Sequence, residues 1–182
     1  LERGEEPSVL HPGHGGDAQV GGAGGPCGPR TLRHSPDRSR VGAVKVSACG
    51  RTDVGRRRTN NEDGFVIRDL ASEATLEQAC VVDQPVGDRG FLVAVCDGMG
   101  GQNAGEVASS LALEALEEEM QRLSDACPRP ELFERAVEVV NRRVWTEASL
   151  HPDLSGMGTT LTAALICQSR ALIAHVGDSR AY

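Results

Sequence analysis

The apolar run Phe91-Leu92-Val93-Ala94-Val95-Cys96 ends in Asp97-Gly98-Met99-Gly100-Gly101, and a helical pattern begins near Asn103. A run of this length bounded by glycines predicts a buried strand. It delivers a carboxylate onto a glycine-rich turn, an arrangement that can hold a ligand at the end of a sheet. Three glycine-rich ligand sites fail at identifiable letters. The dinucleotide fingerprint needs a third glycine where Asn103 stands. Gly100 and Gly105 have the spacing of a phosphate-binding loop, but Glu106 occupies the place of its lysine and would repel a phosphate. A cysteine phosphatase needs an arginine six residues after its nucleophile, where Cys96 finds Gln102. Only Cys27 has that spacing, to Arg33, in a Pro/Gly-rich segment with no strand before it.

A metal reading remains. Asp97 is a hard oxygen ligand and the Gly98 carbonyl can be another, a donor set suited to Mg²⁺ or Mn²⁺. The alternative is that Asp97 caps the following turn or helix.

Two further stretches bear on that choice. Thr52-Asp53-Val54-Gly55-Arg56-Arg57-Arg58-Thr59-Asn60-Asn61-Glu62-Asp63 lies upstream. Gly156-Met157-Gly158-Thr159-Thr160 and His175-Val176-Gly177-Asp178-Ser179-Arg180 lie downstream. In this order, with Asp97-Gly98-Met99-Gly100-Gly101 between them, the set resembles the metal-dependent protein phosphatases of type 2C (PPM), in their bacterial form, from about residue 43 to Tyr182. The resemblance implies an α+β fold, a β-sandwich of two antiparallel sheets flanked by helices, with two Mn²⁺ or Mg²⁺ ions at one end and a third, weaker site. It implies hydrolysis of phosphoserine and phosphothreonine by a metal-activated water, since two cations acidify water and neutralise phosphoryl charge.

Residue roles follow from the same resemblance. Asp97 corresponds to the carboxylate bridging both metals and Gly98 to a carbonyl ligand. Glu62 and Asp63 correspond to acids holding metal-bound waters, and Asp178 to the acid near the weaker site. Arg58 corresponds to the substrate-phosphate ligand, a role that suits a planar, bidentate guanidinium. Each has a structural alternative: a basic turn for Arg58, turn residues for Glu62 and Asp63, a hairpin cap for Asp178. Gly158-Thr159-Thr160 reads as structural, and His175 as a packed or hydrogen-bonded core residue. Met99 stands where eukaryotic members carry a histidine proposed as general acid, and methionine has no proton to donate.

Composition supports a soluble protein of one domain: 182 residues, 39% hydrophobic, with a net charge of −7. The acidic balance argues against nucleic acid as a partner. The partners implied are phosphoprotein substrates, with a Ser/Thr kinase in the same pathway. No stretch reaches the ~18 apolar residues of a membrane span. The six cysteines are dispersed, with no C-x-x-C pair. They predict reduced, buried thiols in a cytoplasmic protein.

Residues 1–40, rich in Gly and Pro, predict a disordered tail whose His11 and His14 are solvated. Residues 41–182 predict the phosphatase-like domain. Within it, residues 43–49, 65–68, 91–96, 159–167 and 171–176 predict strands, the last two a hairpin. Residues 71–90 predict a loop with a short apolar piece at Cys80-Val81-Val82. Residues 103–123 predict a helix with Val107, Ala108, Leu111, Ala112 and Ala115 on its core face and the acidic run Glu117-Glu118-Glu119 in solvent. Residues 131–150 predict a second helix, with Phe133, Ala136, Val137, Val140, Val144 and Trp145 in the core.

The family pattern continues beyond Gly-Asp-Ser-Arg with two more metal-binding aspartates. The chain is therefore expected to be the N-terminal part of a longer protein, lacking full activity by itself. A non-catalytic regulatory or binding module of the same fold stays open as the alternative. A nucleotide-binding domain is disfavoured by Asn103 and Glu106.

Overall fold

The computed structural model describes residues 44–56, 59–72, 80–100, 104–123 and 127–182. They belong to the compact unit Ser39–Tyr182. The expectations for residues 1–40, and for Arg58, lie outside the described residues.

Among the described residues, seven strands and two long helices run in the order β1 (Lys45–Cys49), β2 (Asp63–Asp69), β3 (Cys80–Pro85), β4 (Phe91–Met99), α1 (Ala104–Arg122), α2 (Pro130–Leu150), β5 (Gly158–Thr159), β6 (Leu161–Ile166) and β7 (Ala171–Val176). A short 3-10 turn, Pro152–Leu154, follows α2. The main sheet is antiparallel in the order β2-β4-β6-β7, with β5 added beside the end of β4, and β1 and β3 form a separate antiparallel ribbon. Two antiparallel sheets with two helices match the expected α+β fold.

Alternation along the strands sorts the side chains into two layers, because successive residues point to opposite faces. Leu92, Ala94 and Cys96 of β4 and Leu161, Ala163 and Leu165 of β6 join the cluster that α1 and α2 cover. Ile67 and Phe91, with Phe65, Val93 and Ile166, face the opposite side and pack with Val81, Val86, Val46 and Ala48 of the ribbon region. On the helix side, Ala104, Ala108, Ala112, Ala115 and Leu116 form the buried stripe of α1. Small residues there let the helix lie close to the sheet.

Four sequence expectations need correction. The 71–90 segment is not only loop: Cys80–Pro85 is strand β3, paired with β1. Its pattern is hidden by a bulge, where the register shifts between Val46 and Ala48 and Asp83 takes φ +52. Asp83 is fastened there by its N–H donating to Ser47 Oγ at 3.0 Å. Trp145 is 70% exposed, because it stands one residue, about 100° of helix, past the Phe133-Ala136-Val140-Val144 stripe. Val107 is exposed for the same reason beside Ala108. The acidic run is not a free face either. Glu117 accepts from the buried Arg68 at 3.0 Å, and Glu118 from Arg143 of α2 at 2.7 Å.

The fourth correction concerns the thiols. Cys49 is bonded to Cys80 and Cys127 to Cys167, so of the described cysteines only Cys96 is free. Sequence separations of 31 and 40 conceal both pairs. Strand pairing sets Cys49 directly opposite Cys80, and the connection between the helices carries Cys127 to the end of β6. Among the described residues no helix is long and apolar enough to cross a membrane.

Candidate metal and phosphate site

The β2–β4 pairing builds the centre of the site. In its register Asp63 stands directly opposite Asp97. Asp63 shares the parity of Phe65 and Ile67, and Asp97 that of Phe91, Val93 and Val95. Both carboxylates therefore emerge on the ribbon side of the main sheet, at one end, and both are exposed. They line a shallow cavity of about 220 Å³ with Arg51, Thr52 and Ser179.

Glu62 and Gly98 belong to the other parity and turn toward α1. The Gly98 N–H donates to the Glu62 carbonyl at 3.0 Å, which extends the strand pairing by one step. Gly98 is buried under the first turn of α1: a Cβ there would fall 1.9 Å from the Gly105 carbonyl oxygen. Gly105 in turn lies against the Glu62 carboxylate, 2.8 Å from where its own Cβ would be. Gly98 and Gly105 thus let strand, helix start and acid meet.

The Asp97 main chain is held from the β5–β6 side. Its N–H donates to Thr160 Oγ1 at 3.0 Å, and its carbonyl accepts from the Thr160 N–H at 2.9 Å and from Thr159 Oγ1 at 3.1 Å. Thr160 Oγ1 also lies 2.7 Å from Ser179 Oγ. Sequence reasoning marked Thr159 and Thr160 as structural, and their hydroxyls bond the backbone of Asp97. Ser179 was missed. Its signal was the adjacency to Asp178, since only the fold shows that Ser179 rather than Asp178 faces the Asp63–Asp97 cavity.

Asp178 lines a different groove, of about 820 Å³, with Met99, Trp145, Thr160 and Val176. His175 is exposed on β7 and shares a 2.9 Å hydrogen bond with Thr162 Oγ1, so it is bonded but not packed in the core. Cys96, beside Asp97, is only 2% exposed, and burial pushes its thiol up to about 11, offset in part by a hydrogen bond with Thr159. A thiol protonated at neutral pH is a poor nucleophile, which agrees with the missing arginine.

The donor set consists of carboxylates and carbonyls, the chemistry that hard divalent cations take. Among the described residues no three Asp, Glu, His or Cys side chains converge on one point. The alternation that puts Asp63 and Asp97 on one face and Glu62 on the other is the reason. The residues present fit part of an oxygen-ligated site.

Comparison with known proteins gives the family. A family model described as protein phosphatase 2C matches residues 72–182. The serine/threonine phosphatase stp of Listeria innocua is 36% identical over 135 residues, 72% of this chain and 47% of that protein. The serine/threonine protein phosphatase PstP of Mycobacterium tuberculosis is 38% identical over 137 residues, 74% of this chain and 22% of that protein. Among solved structures, the catalytic domain of PstP in complex with two manganese ions matches at 33% identity and a TM-score of 0.54, covering 75% of this chain and 49% of that one. Stp1 from Staphylococcus aureus matches at 28% identity and a TM-score of 0.56, with 77% and 49% covered. The chain thus spans about half or less of the length of these relatives. Its fold, its ordered motifs and these matches together show that the chain belongs to the protein phosphatase 2C family, in its bacterial form.

Proposed function

We propose that this chain forms the metal-binding and phosphate-binding half of a metal-dependent protein serine/threonine phosphatase that works with Mn²⁺ or Mg²⁺. The observation that carries the reading is the pair Asp63 and Asp97, opposed across β2 and β4 at an open end of the sheet. Bound divalent cations would supply acidification of water and neutralisation of phosphoryl charge. Asp97 is the main holder, with its peptide group fixed by Thr159 and Thr160. Asp63 faces it, Glu62 lies on the α1 side against Gly105, and the Gly98 carbonyl is a further oxygen ligand. Asp178 serves a further, weaker cation position from the neighbouring groove. Arg58 orients the substrate phosphate, and Met99, 65% exposed, has no proton to give the leaving group.

The substrates on this reading are phosphoproteins, modified by a Ser/Thr kinase of the same pathway. The manganese-bound PstP catalytic domain supports the choice of metal. The test is Mn²⁺ binding and phosphopeptide turnover, measured side by side for the protein and its Asp97→Asn variant. Loss of both in the variant supports the reading. Retained turnover overturns it, and metal binding without any turnover in the full-length protein favours the binding-module alternative.

A further inference from the structure

The two disulfides occupy unlike surroundings. Cys127–Cys167 is sunk at the edge of the helix-side core: Cys167 is 5% exposed and neighbouring Pro128 is fully buried. Arg170 closes over it, donating to the Cys127 carbonyl at 3.1 Å and the Pro128 carbonyl at 2.9 Å. Cys49–Cys80 joins two exposed residues at directly opposed positions of the ribbon. Among the described residues β1 pairs with no strand but β3.

The chain leaving Cys49 runs straight to the site. Gly50 lies against the Phe65 ring, so closely that a Cβ there would fall 2.3 Å from it. Arg51 and Thr52 then line the cavity of Asp63 and Asp97. Thr52 Oγ1 accepts from Asn61 Nδ2 at 2.8 Å, and Asn61 Oδ1 accepts from the Asp63 N–H at 3.2 Å. Four residues thus link the exposed disulfide to the peptide group of a site carboxylate.

We propose that Cys49–Cys80 is a thiol–disulfide exchange site for low-molecular-weight thiols, and that opening it loosens the wall of the Asp63–Asp97 cavity formed by Arg51 and Thr52. A small thiolate attacks one exposed sulfur, forms a mixed disulfide and releases a protein thiolate. A second small thiol resolves the mixed disulfide. The balance is two small thiols oxidised to one small disulfide and the protein bond reduced to two thiols, a two-electron exchange. Access decides which bond reacts, because the attacking sulfur must reach its target. Cys127–Cys167, under Arg170 and with Cys167 buried, stays closed under the same conditions. The effect on turnover rests on the phosphatase reading above, but the opening and its structural consequence do not.

The experiment is a graded glutathione titration of the whole chain, with alkylation and mass spectrometry to locate thiols and hydrogen exchange to follow residues 50–56. Cys49 and Cys80 should alkylate at about tenfold lower thiol concentration than Cys127 and Cys167. Opening should speed amide exchange in residues 50–56 by about tenfold, while α1 is unchanged. The double variant Cys49→Ser/Cys80→Ser should show the fast exchange at the outset and no response to glutathione. In turnover assays, opening should raise KM for a phosphopeptide more than it lowers kcat. Earlier opening of Cys127–Cys167, alkylation of Cys49 and Cys80 in the chain before any thiol is added, or unmoved exchange in residues 50–56 would each overturn the proposal. Phosphopeptide turnover retained in the Asp97→Asn variant, while residues 50–56 still respond to glutathione, sinks the phosphatase reading and upholds the exchange site.

Discussion

In this chain the two faces of the main sheet are covered to different extents. On the helix side, Leu92, Leu116 and Leu165 are fully buried and a continuous cluster runs from Leu70 to Cys167. On the ribbon side the cluster is small, and farther along that face Val95 is 46% and Ile173 66% exposed. The opposed carboxylates Asp63 and Asp97 sit on this less covered face. Ionised carboxylates are costly to bury unpaired, so a site that must carry several of them belongs where water and ligand can reach.

The largest expected effect breaks the open face. Asp97→Asn keeps the size and removes the charge, and its loss of phosphopeptide turnover should exceed the roughly 10–100-fold that removing an outer partner of a metal ligand costs. Thermal stability should hardly change, since Asp97 is exposed and its peptide bonds to Thr160 remain. A large fall in melting temperature would show that the carboxylate is structural instead.

Substitutions on the two faces should separate cleanly in denaturant titrations. Leu165→Ala, in the sealed layer, should cost about 2–5 kcal/mol. Ile173→Ala, on the exposed ribbon side of the adjacent strand, should stay within about 0.5 kcal/mol. Equal costs would mean that the ribbon-side surface of β7 is covered in solution.

Arg58→Ala should weaken phosphopeptide binding by about 1.5–3 kcal/mol, the value of a hydrogen bond to a charged group, and leave Mn²⁺ binding intact. An unchanged KM would remove Arg58 from the phosphate site. In calorimetry, Mn²⁺ should bind this chain weakly, because the described acids do not converge in threes. Two tight sites would contradict that.

The smallest effect is expected at Cys96→Ser. The thiol is buried, protonated and turned to the helix side, so kcat should be retained. A dead Cys96→Ser enzyme beside a live Asp97→Asn enzyme would replace the metal reading by a cysteine mechanism.

Much of this protein was legible in the order of its residues. The run Phe91–Cys96 predicted the central strand, and the 3.6-residue spacing of apolar side chains predicted both helices, since these periodicities are local properties of the backbone. The motifs around Glu62, Asp97, Thr159 and Asp178 named the family before any contact was known. The second strand of the ribbon was not legible, because a bulge at Asp83 breaks its alternation. Trp145 was misplaced because hydrophobicity carries no angle: one residue past Val144 the helix surface has turned away from the core.

What tertiary structure alone decided is which residues meet. Asp63 and Asp97 are 34 positions apart and become neighbours through strand register. Cys49 reaches Cys80 by pairing in the ribbon, and Ser179 reaches Thr160 where the chain leaves β7. Glu62, next to Asp63 in the chain, is carried to the opposite face by the pleat, against Gly105. A sequence lists side chains along one dimension, and a catalytic site depends on distances that only pairing, pleat and packing create.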